Sequence, residues 1–599
     1  MSMVRKEQII SCAVSFLCIY ALPEMMGFTG EEIYLTNSIF LFVAWIGLAV
    51  LIWTGMEHVD WKDLRANLLA LLLAAVFSVC MAVGADLDSM EYVVFGDIRR
   101  IVSICCFAMA LTVIIREVWS CMDNDRGNSS FALEEGYSRG RFMVIAVVLL
   151  LCWMPVFLAS YPGFFVYDAQ DEVNEVLTRS FSSHHPLLHV LLLGGIVAAV
   201  HKAAGSYNLG IACYMAFQMC IAALCFAYMM DFLKKHHVHR GFRIVVLIFL
   251  AFFPVFPMYV LCSTKDTLFT IALLMLVLYL YELLTDTAKF LKSWQKQAGI
   301  VLSGFFMMSL RHNGGYAYLV LMVFLAVWAF GKRHEIVFRK VACLFALPVV
   351  LCVGTTALMT SLLHASPGGK QEMLTVPIMQ LTRVHETDAG SFSEEEKALL
   401  YQYLPEEAME RYTAKLSDPV KVLFNNEKYG EDPMGFWRLW FGAGISHIGT
   451  YINAWLYTSY GFWYPDTIID AYNGIQRHTF VYGESSYFGY ETEPPGTRES
   501  RFALLEEAYR RLSLEITQQK LPVVSMFFSP GFMFWLYAFA IVFFIKRRQY
   551  KRVLTFSIIL LIWLTVLLGP TCMVRYVLIF WFAYPVLAAM VFEKYTGFV

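Results

Sequence analysis

Chemically versatile side chains interrupt this apolar chain where its hydrophobic runs begin or end. The stretch Tyr161 to Glu172 carries three carboxylates, Asp168, Asp171 and Glu172, immediately after an apolar run. Ionisable groups at membrane depth are costly and usually face a cavity. A carboxylate in such a cavity can accept the proton of an attacking hydroxyl group. The pattern therefore predicts a catalytic base here, with a solvated interfacial loop as the alternative.

Four further polar clusters lie at the ends of other apolar runs. They are His184 with His185, Lys265 with Asp266, Arg311 with His312 and Asn313, and Arg575 with Tyr576. Several helices that end at one membrane face could bring all five clusters into a single chamber. Lysine, arginine and histidine can hold a leaving phosphate, and arginine does so with a bidentate fork. Together with the carboxylates, these clusters predict group transfer from a phosphate-linked donor.

Most of these clusters also have a structural explanation. Asp266 could cap a helix while the adjacent Lys265 snorkels to the interface. The Arg575-Tyr576 pair could be a headgroup anchor. The adjacent His184 and His185 cannot both point along one face of a helix or strand toward a single metal ion. We therefore predict no metal site, and the need for a divalent metal ion stays open.

The composition places these clusters in a membrane. The chain has 599 residues, of which 58% are hydrophobic, and its mean hydropathy is +0.57. Apolar runs of about 18 to 20 residues match the thickness of a bilayer core. The 46 basic and 48 acidic residues leave a net charge of -2, which gives no electrostatic basis for binding nucleic acid. The sequence therefore predicts an all-α, multi-pass membrane protein.

The apolar runs indicate about 13 to 15 spans. They cover residues 8–26, 35–54, 65–84, 99–115, 142–160, 186–204, 208–231, 243–262, 267–284, 298–310, 315–331, 341–362, 526–545, 553–570 and 574–592. Lysine and arginine gather between spans in the segments 116–141, 289–296, 332–340 and 546–552. Because short basic loops tend to stay cytoplasmic, we expect residues 363–525 outside the plasma membrane and the C-terminus inside.

This orientation requires one apolar run to fail to cross. If every run from 186 to 284 crosses, the Asp168 loop lies on the opposite face from residues 363–525. The run 186–204, with its two adjacent glycines, is one weak candidate. The paired runs between 243 and 284 are the other. Broken or re-entrant helices of this kind occur where protein or water covers the backbone.

The long polar stretch 363–525 has folding signals of its own. Ser393 and Glu396 have capping-box spacing ahead of an apolar run. An amphipathic helix is expected at 501–516. The segment 436–463 is rich in aromatic residues and glycine, which suits a membrane-hugging element or another span. The stretch contains no cysteine, so no disulfide is predicted there.

The order of the polar clusters resembles the GT-C superfamily of integral-membrane glycosyltransferases. The motifs are, in chain order, Tyr161-Pro162-Gly163 with Asp168, His185-Pro186, Lys265-Asp266, Arg311-His312-Asn313-Gly314 and Arg575-Tyr576. The chain is most similar to a bacterial subgroup without an assigned substrate, and distantly similar to protein O-mannosyltransferases and aminoarabinose transferases. The resemblance covers about residues 142–592 and includes a large loop before the last spans.

The resemblance implies inverting transfer of a sugar from a polyprenyl-phosphate-linked donor to an envelope glycan or protein on the outer membrane face. Asp168 falls at the position of the catalytic base, and the relatives' Asp-Glu pair makes Asp171, next to Glu172, the alternative. Arg311 and Arg575 would hold the donor phosphate. Other residues expected at the donor site are His184, His185, Lys265, Asp266, His312, Asn313 and Tyr576.

The resemblance also divides the chain into parts. They are an N-terminal membrane module (1–141), a GT-C-like core (142–362), an extracytoplasmic loop domain (363–525) and the C-terminal spans (526–599). The main competing function is a transporter or flippase of a lipid-linked envelope intermediate, because intramembrane charges also mark substrate paths. Transporters commonly have two related halves, and no such repeat is visible in this sequence. A non-catalytic membrane protein is the third interpretation.

Overall fold

The protein is a bundle of α-helices. The computed structural model describes residues 2–25, 39–124, 139–331, 335–388, 390, 392–470 and 490–592. These residues form no strand and only isolated β-bridges, such as that between Phe164 and Cys262. Among them, nine helices are long and apolar enough to cross a membrane. The predicted all-α, multi-pass membrane class is confirmed.

The first four helices form a module with a small core of its own. They are α1 (Ser2–Met25), α2 (Ile39–His58), α3 (Leu64–Met90) and α4 (Ile98–Asn124). Cys18 and Ile52 pack against Cys106 in this core. The module is joined to the C-terminal helices, since Arg65 at the start of α3 donates a 2.8 Å hydrogen bond to the carbonyl of Ile545.

The next six helices include a broken one. They are α5 (Arg139–Ala159), α6 (Ala169–Thr178), α7 (Leu187–Ala204), α8 (Tyr207–Lys235), α9 (Arg240–Phe252) and α10 (Val255–Val260). The apolar run predicted as one span at 243–262 is therefore two helices. Phe253 is extended, with ψ of 123°, and precedes Pro254. The proline ring disfavours a helical conformation of the residue before it, which explains the break.

The helix α11 runs through the centre of the bundle. It is followed by four others, so that this group comprises α11 (Lys265–Thr285), α12 (Thr287–Phe290), α13 (Trp294–Leu310), α14 (His312–Phe330) and α15 (Glu335–Leu363). In α11, 89% of the most apolar window is buried inside the protein. Lys265 begins α11 and Glu282 lies near its end. We call the two ends of the bundle the Lys265 face and the Glu282 face.

The loop domain is helical and has a separate apolar core. Its helices are α16 (Thr375–Thr387), α17 (Glu394–Tyr403), α18 (Glu406–Glu410), α19 (Asp418–Lys421), α20 (Asn426–Glu431), α21 (Pro433–Ser446), α22 (Ile448–Ser459), α23 (Ala503–Ser513) and α24 (Val524–Phe528). Leu381, Leu400 and Phe436 are fully buried in that core. The predicted capping box of Ser393 and Glu396 is confirmed, and α23 is the amphipathic helix predicted at 501–516.

The C-terminal helices complete the bundle. They are α25 (Pro530–Lys546), α26 (Tyr550–Val566), α27 (Ile579–Phe582) and α28 (Tyr584–Phe592). The run predicted as a span at 574–592 is interrupted, because a 3₁₀ turn over Val574–Val577 and two short helices replace a single helix. α25 packs against α3, and α26 packs against α11 and α14. Residues 526–592 therefore share one bundle with the earlier helices.

The helix α7 begins and ends on the Lys265 face. It follows His185, whose Nδ1 lies 3.1 Å from Lys265 Nζ. Just after its end, Asn208 donates a 2.9 Å hydrogen bond to Glu499. The amide of Glu499 in turn donates to the carbonyl of Tyr161, in the loop after α5, at 2.8 Å. α7 therefore does not connect the two faces, although its length and composition would allow a span.

The helices after α7 do connect the faces. α8 ends at Lys235, which forms an ion pair with Glu282, and α10 leads back to Cys262 on the Lys265 face. Gly194 lets α7 lie against α6, because a Cβ atom there would be 2.5 Å from a methyl of Val176. Of the two weak candidates, the run 186–204 is thus the one that fails to cross. The Asp168 loop and the loop domain consequently lie on the same face.

Candidate functional site

Three of the predicted polar clusters meet at the ammonium group of Lys265. Its Nζ donates a hydrogen bond of 2.8 Å to Asp168 Oδ2. The same Nζ lies 3.1 Å from His185 Nδ1 and 3.9 Å from Glu172 Oε1. The Asp168 side chain is 36% exposed, whereas that of Glu172 is 2% exposed. Asp168 is therefore the carboxylate of this group that a substrate can reach.

The two arginines belong to the same cluster through Asp266. Arg311 Nη1 donates to Asp266 Oδ1, and Arg575 Nη1 lies 3.6 Å from Asp266 Oδ2. Arg575 Nη1 is also 3.9 Å from Asp168 Oδ2. Asp266 is fully buried and accepts a further hydrogen bond of 2.7 Å from the Thr264 hydroxyl. Its role in this geometry is to hold the two arginines rather than to contact a substrate.

Aromatic rings form the wall behind the arginines. The guanidinium carbon of Arg575 lies 4.1 Å from the ring centre of Tyr167 and 4.9 Å from that of Tyr576. Arg311 lies 4.8 Å from the Tyr576 ring and 5.8 Å from the Phe269 ring. These distances allow cation–π attraction, which fixes the plane of each guanidinium. Tyr576, predicted at the donor site, therefore orients both arginines.

Backbone contacts fix the loop that carries Asp168. The Phe164 amide donates to the carbonyl of Leu261 at 2.9 Å, and the Ser263 amide donates to the carbonyl of Phe164 at 3.0 Å. The Val166 amide donates to Ser263 Oγ at 3.1 Å. Tyr167, directly before Asp168, has a left-handed backbone with φ of 65°. That conformation costs a non-glycine residue about 1 to 3 kcal/mol and occurs preferentially at functional sites.

Four helices begin at this cluster. Asp168 is the N-cap of α6, Arg311 is the N-cap of α14, Lys265 is the first residue of α11, and His185 precedes Pro186, the N-cap of α7. The N-terminus of a helix carries about half a positive charge from its unpaired amides. The site therefore combines three cationic side chains with four positive helix ends.

The charges around Asp168 control its protonation. Burial by itself raises the pKa of Asp168, but the nearby Lys265 and Arg575 outweigh it and hold this pKa well below the usual range. Burial, followed by repulsion from Lys265, lowers the pKa of His185 to about 4. At neutral pH Asp168 is therefore ionised and His185 is neutral. Neutral His185 can accept a hydrogen bond from Lys265 through Nδ1.

Asp171, the alternative base, lies in a different environment. Its side chain is exposed, one turn after Asp168 on α6. Burial of part of the carboxyl and repulsion from Asp168 raise the pKa of Asp171. A raised pKa suits a general base better than a depressed one. The geometry favours Asp168, which contacts the cations, whereas the raised pKa favours Asp171. Both carboxylates therefore stay candidates for the base.

Behind the site, Glu172 starts a buried hydrogen-bond chain that the sequence did not predict. Glu172 Oε2 bonds to His189 Nδ1, and His189 Nε2 lies 2.8 Å from the Tyr214 hydroxyl. The Tyr214 hydroxyl also lies 3.2 Å from Gln218 Oε1, and Gln218 Nε2 donates to the carbonyl of Cys262 at 2.7 Å. The only sequence signal was a histidine within the apolar run of α7. Glu172, one of the three candidate catalytic carboxylates, is thus too buried to reach a substrate and supports the site from behind.

Three further predicted residues lie at the edge of the cluster. His184 is exposed and its ring centre is 4.5 Å from that of His185. The His312 side chain bonds to the backbone at 183 and 184. Asn313 Nδ2 donates to the Thr565 hydroxyl at 2.9 Å and links α14 to α26. The prediction that Asn313 contacts the donor therefore has no geometric support.

The cluster is a poor fit for a divalent cation. Among the described residues, no three His, Cys, Asp or Glu side chains form a group that could hold a metal ion. Asp168 already pairs with Lys265 and lies close to Arg575. These cations would repel a metal ion at the same carboxylate. We derive no catalytic step through a metal.

An apolar groove opens beside the cluster. Its volume is about 240 Å³, and its polar end includes His185 and His312. Its sides come from α7, α13, α14 and α15, and include Leu319 and Val353. Leu319 is 50% exposed and Val353 is 64% exposed, on helix faces directed away from the core. The groove therefore joins the polar cluster to the outer surface of the bundle.

Comparison with known proteins gives a family but no assigned activity. The model of a family of unknown function, DUF6020, matches residues 177–596, which is more than half of the chain. The match begins after Asp168, Asp171 and Glu172 and includes the other predicted site residues. No curated protein and no solved structure matches the chain. The protein therefore belongs to the DUF6020 family.

Proposed function

We propose that this protein transfers a sugar from a polyprenyl-phosphate-linked donor to a hydroxyl group of a cell-envelope glycan or protein, with inversion at the anomeric carbon. One observation carries the proposal. An accessible carboxylate, Asp168, pairs with Lys265 and lies 3.9 Å from Arg575, and Arg311 joins the same cluster through Asp266. The cluster lies where four helices begin, next to a groove that reaches the lipid-facing surface. Such an arrangement suits a substrate that is anionic at one end and apolar at the other.

The electrostatics favour an anion. Cations at a helix N-terminus oppose the helix dipole and lower stability unless another negative charge compensates. Lys265 and Arg311 both occupy such positions. Three carboxylates balance the three cations, and the four helix ends add further positive charge. Arg311 uses Nη1 for Asp266, so its remaining donors can bind phosphate oxygens.

The groove provides a place for the lipid part of the donor. Its walls are mostly apolar side chains of α7, α13, α14 and α15, with some threonine hydroxyls on α15, and its polar end is at His185 and His312. A phosphate bound by Arg311 would leave the adjoining isoprene units in this groove. The rest of the chain would extend along the exposed face of α14 into lipid, since Leu319 and Val323 are 50% and 60% exposed.

The residues can carry out the transfer as a single displacement. The acceptor oxygen attacks the anomeric carbon and forms the new glycosidic bond while the bond from that carbon to the phosphate oxygen breaks. The electron pair leaves with polyprenyl phosphate, whose charge Arg311 and Arg575 stabilise. The proton of the acceptor hydroxyl passes to Asp168, which Lys265 keeps ionised. Asp171 is the alternative proton acceptor.

The charge distribution supports an outward-facing site. Lys235, Lys296, Lys546 and Arg547 all lie on the Glu282 face. Basic residues concentrate on the cytoplasmic side of membrane proteins. The Glu282 face would then be cytoplasmic, and the site would open outside the cell, where an envelope acceptor is present.

The function can be tested with purified protein in lipid nanodiscs. A panel of polyprenyl-phosphate-linked sugars would be offered with envelope glycan or peptide acceptors, and polyprenyl phosphate release would be measured. We expect release with at least one donor and its loss in Asp168→Asn. Movement of a lipid-linked intermediate across vesicles without release of polyprenyl phosphate would replace the proposal with a transporter.

A further inference from the structure

The hairpin of α21 and α22 exposes an apolar face that the loop domain does not cover. Phe441, Ile445 and Ile448 are 59%, 76% and 60% exposed and lie near the tip of the hairpin. Residues 433–464 contain no Asp, Glu or Lys, and Arg438 is their only arginine. An apolar patch of this kind on a membrane protein needs a partner.

Two hydrogen bonds place this hairpin at the level where helices of the bundle end. Asn453 Oδ1 accepts a 2.7 Å bond from the amide of Val93, in the loop between α3 and α4. Trp455 Nε1 donates a 2.9 Å bond to the carbonyl of Leu567, at the end of α26. Both positions belong to the Lys265 face. The hairpin therefore lies at the expected height of the lipid headgroups and upper acyl chains.

The apolar surface continues from the hairpin onto the neighbouring helices. In the loop that Asn453 contacts, Tyr92, Val94 and Phe95 are 50%, 45% and 57% exposed. Ile98 and Val102 continue this surface along α4, with exposures of 68% and 53%. The outer face of α4 is apolar enough to contact lipid. Lipid that contacts this face of α4 would therefore also cover the apolar face of the hairpin.

Beside the hairpin lies an apolar cavity of about 320 Å³, lined in part by Trp440, Tyr451 and Trp455. The Trp440 Nε1 group donates to Gln380 Oε1 at 2.9 Å, and the Tyr451 hydroxyl donates to the Trp440 carbonyl at 2.8 Å. The polar groups of these rings are satisfied within the protein, so the rings present apolar surface to the cavity. Tryptophan and tyrosine are also enriched at membrane interfaces, where their rings lie at the headgroup level.

We propose that the α21–α22 hairpin inserts its apolar face into the bilayer leaflet on the Lys265 face, with phospholipid acyl chains against Phe441, Ile445 and Ile448. Insertion is shallow, because the hairpin turns back at His447 and returns to the loop domain. Since Phe436 of α21 is part of the loop-domain core, the hairpin ties that domain to the membrane surface. This inference does not rest on the proposed function.

The experiment uses the full chain in nanodiscs, with an environment-sensitive fluorescent amino acid in place of Ile445. A matched control carries it in place of Glu395, which is exposed on α17 of the same domain. Nanodisc phospholipids would carry a doxyl quencher either high on the acyl chain or at its end. We expect quenching at position 445 to exceed that at 395 severalfold and to be stronger with the high label.

Equal quenching at the two positions would overturn the proposal. Stronger quenching by the chain-end label would also contradict it, because the hairpin would then cross deep into the bilayer. Energy transfer between fluorophores at position 445 of two copies, without lipid quenching, would assign the face to a dimer instead. Ile445 is mostly exposed, so the substitution leaves the packing of the hairpin unchanged.

Discussion

Both faces of the bundle carry ion clusters, but most cations of the Glu282 face lie at helix C-termini, whereas Lys265 and Arg311 lie at helix N-termini. On the Glu282 face, Glu282 pairs with Lys235 and with Lys296, the latter at 2.6 Å. A second cluster there joins Asp123 to Lys546 and Arg547. On the Lys265 face, cations and carboxylates meet where α6, α7, α11 and α14 begin.

The helix dipoles affect the stability of the two sets of clusters differently. Lys235 and Lys546 are the last residues of α8 and α25, where a positive charge is favourable. Lys296 lies in the first turn of α13, where a positive charge is unfavourable, but Glu282 pairs with it at 2.6 Å. We therefore expect the clusters of the Glu282 face to stabilise the fold without a ligand. Lys265 and Arg311 stand at helix N-termini, where a positive charge is unfavourable. An anionic substrate would compensate for that arrangement, and for this reason we propose that the chemistry takes place on the Lys265 face.

The largest expected effect is the loss of transfer when a carboxylate is neutralised on the Lys265 face but not on the Glu282 face. Asp168→Asn should reduce sugar transfer by about 10²- to 10⁴-fold, since the base can no longer accept a proton. Its melting temperature should change little, because Lys265 keeps Glu172 as a partner. Glu282→Gln, the matched control, should lower the melting temperature and leave transfer intact. Comparable losses of transfer in the two variants would remove the distinction between the faces.

A smaller loss is expected when an arginine becomes lysine. Arg311→Lys keeps the charge but loses the bidentate fork, which should weaken phosphate binding by about 1.5 to 3 kcal/mol. That corresponds to about a 10- to 150-fold lower kcat/KM for the donor. Arg547→Lys on the Glu282 face should lower thermal stability without changing kcat/KM. Normal donor kinetics in Arg311→Lys would show that Arg311 is only structural.

The pH dependence of transfer distinguishes the two candidate bases. A base must be ionised, so the rate falls as the pH drops through its pKa. Burial raises the pKa of Asp168, but Lys265 and Arg575 more than offset this and hold it well below the usual range. With Asp168 as the base, the acid limb lies below about pH 4, the pKa of a free aspartate. An acid limb above that pH would identify Asp171, whose pKa is raised, and Asp171→Asn would then abolish transfer.

The smallest effect concerns the buried chain behind the site. Tyr214→Phe removes the hydroxyl between His189 and Gln218 and should cost on the order of 1 kcal/mol in stability. If this hydrogen-bond chain also orients Glu172 toward Lys265, its loss should raise the activation barrier for transfer by a similar amount. Transfer should then be about fivefold slower. Measurement of both quantities in one preparation separates the two roles. An unchanged rate at reduced stability would make the chain purely structural.

The site residues could be predicted from the sequence where polar side chains interrupt an apolar run. The clusters at Asp168, His185, Lys265, Arg311 and Arg575 stood out because ionisable groups are rare beside spans, and the structure brings them together. Their mutual pairing depends on tertiary packing and could not be read from spacing. The run 243–262 was predicted as one span although it contains Pro254, where the structure breaks it into two helices. Periodicity alone does not show where the chain returns to its own face.

Other features had no usable signal. Glu172 was grouped with its neighbours as a base, yet its orientation on α6 directs it to His189 rather than toward the accessible side. Asn313 follows Arg311 and His312 in a motif, but its amide reaches Thr565 on α26. Neighbours in sequence on a helix point about 100° apart, so a motif does not assign one role to all its residues. The partners Tyr214 and Thr565 are distant in sequence.

The central claim is that the Lys265 face binds the phosphate of a lipid-linked donor. A cryo-EM structure of the protein in nanodiscs with added polyprenyl phosphate tests it most directly. The account predicts phosphate density between Arg311, Arg575 and Lys265, with the prenyl chain in the groove between α14 and α15. Polyprenyl phosphate density at the Glu282 face, or none at the Lys265 cluster at saturating lipid, would contradict it.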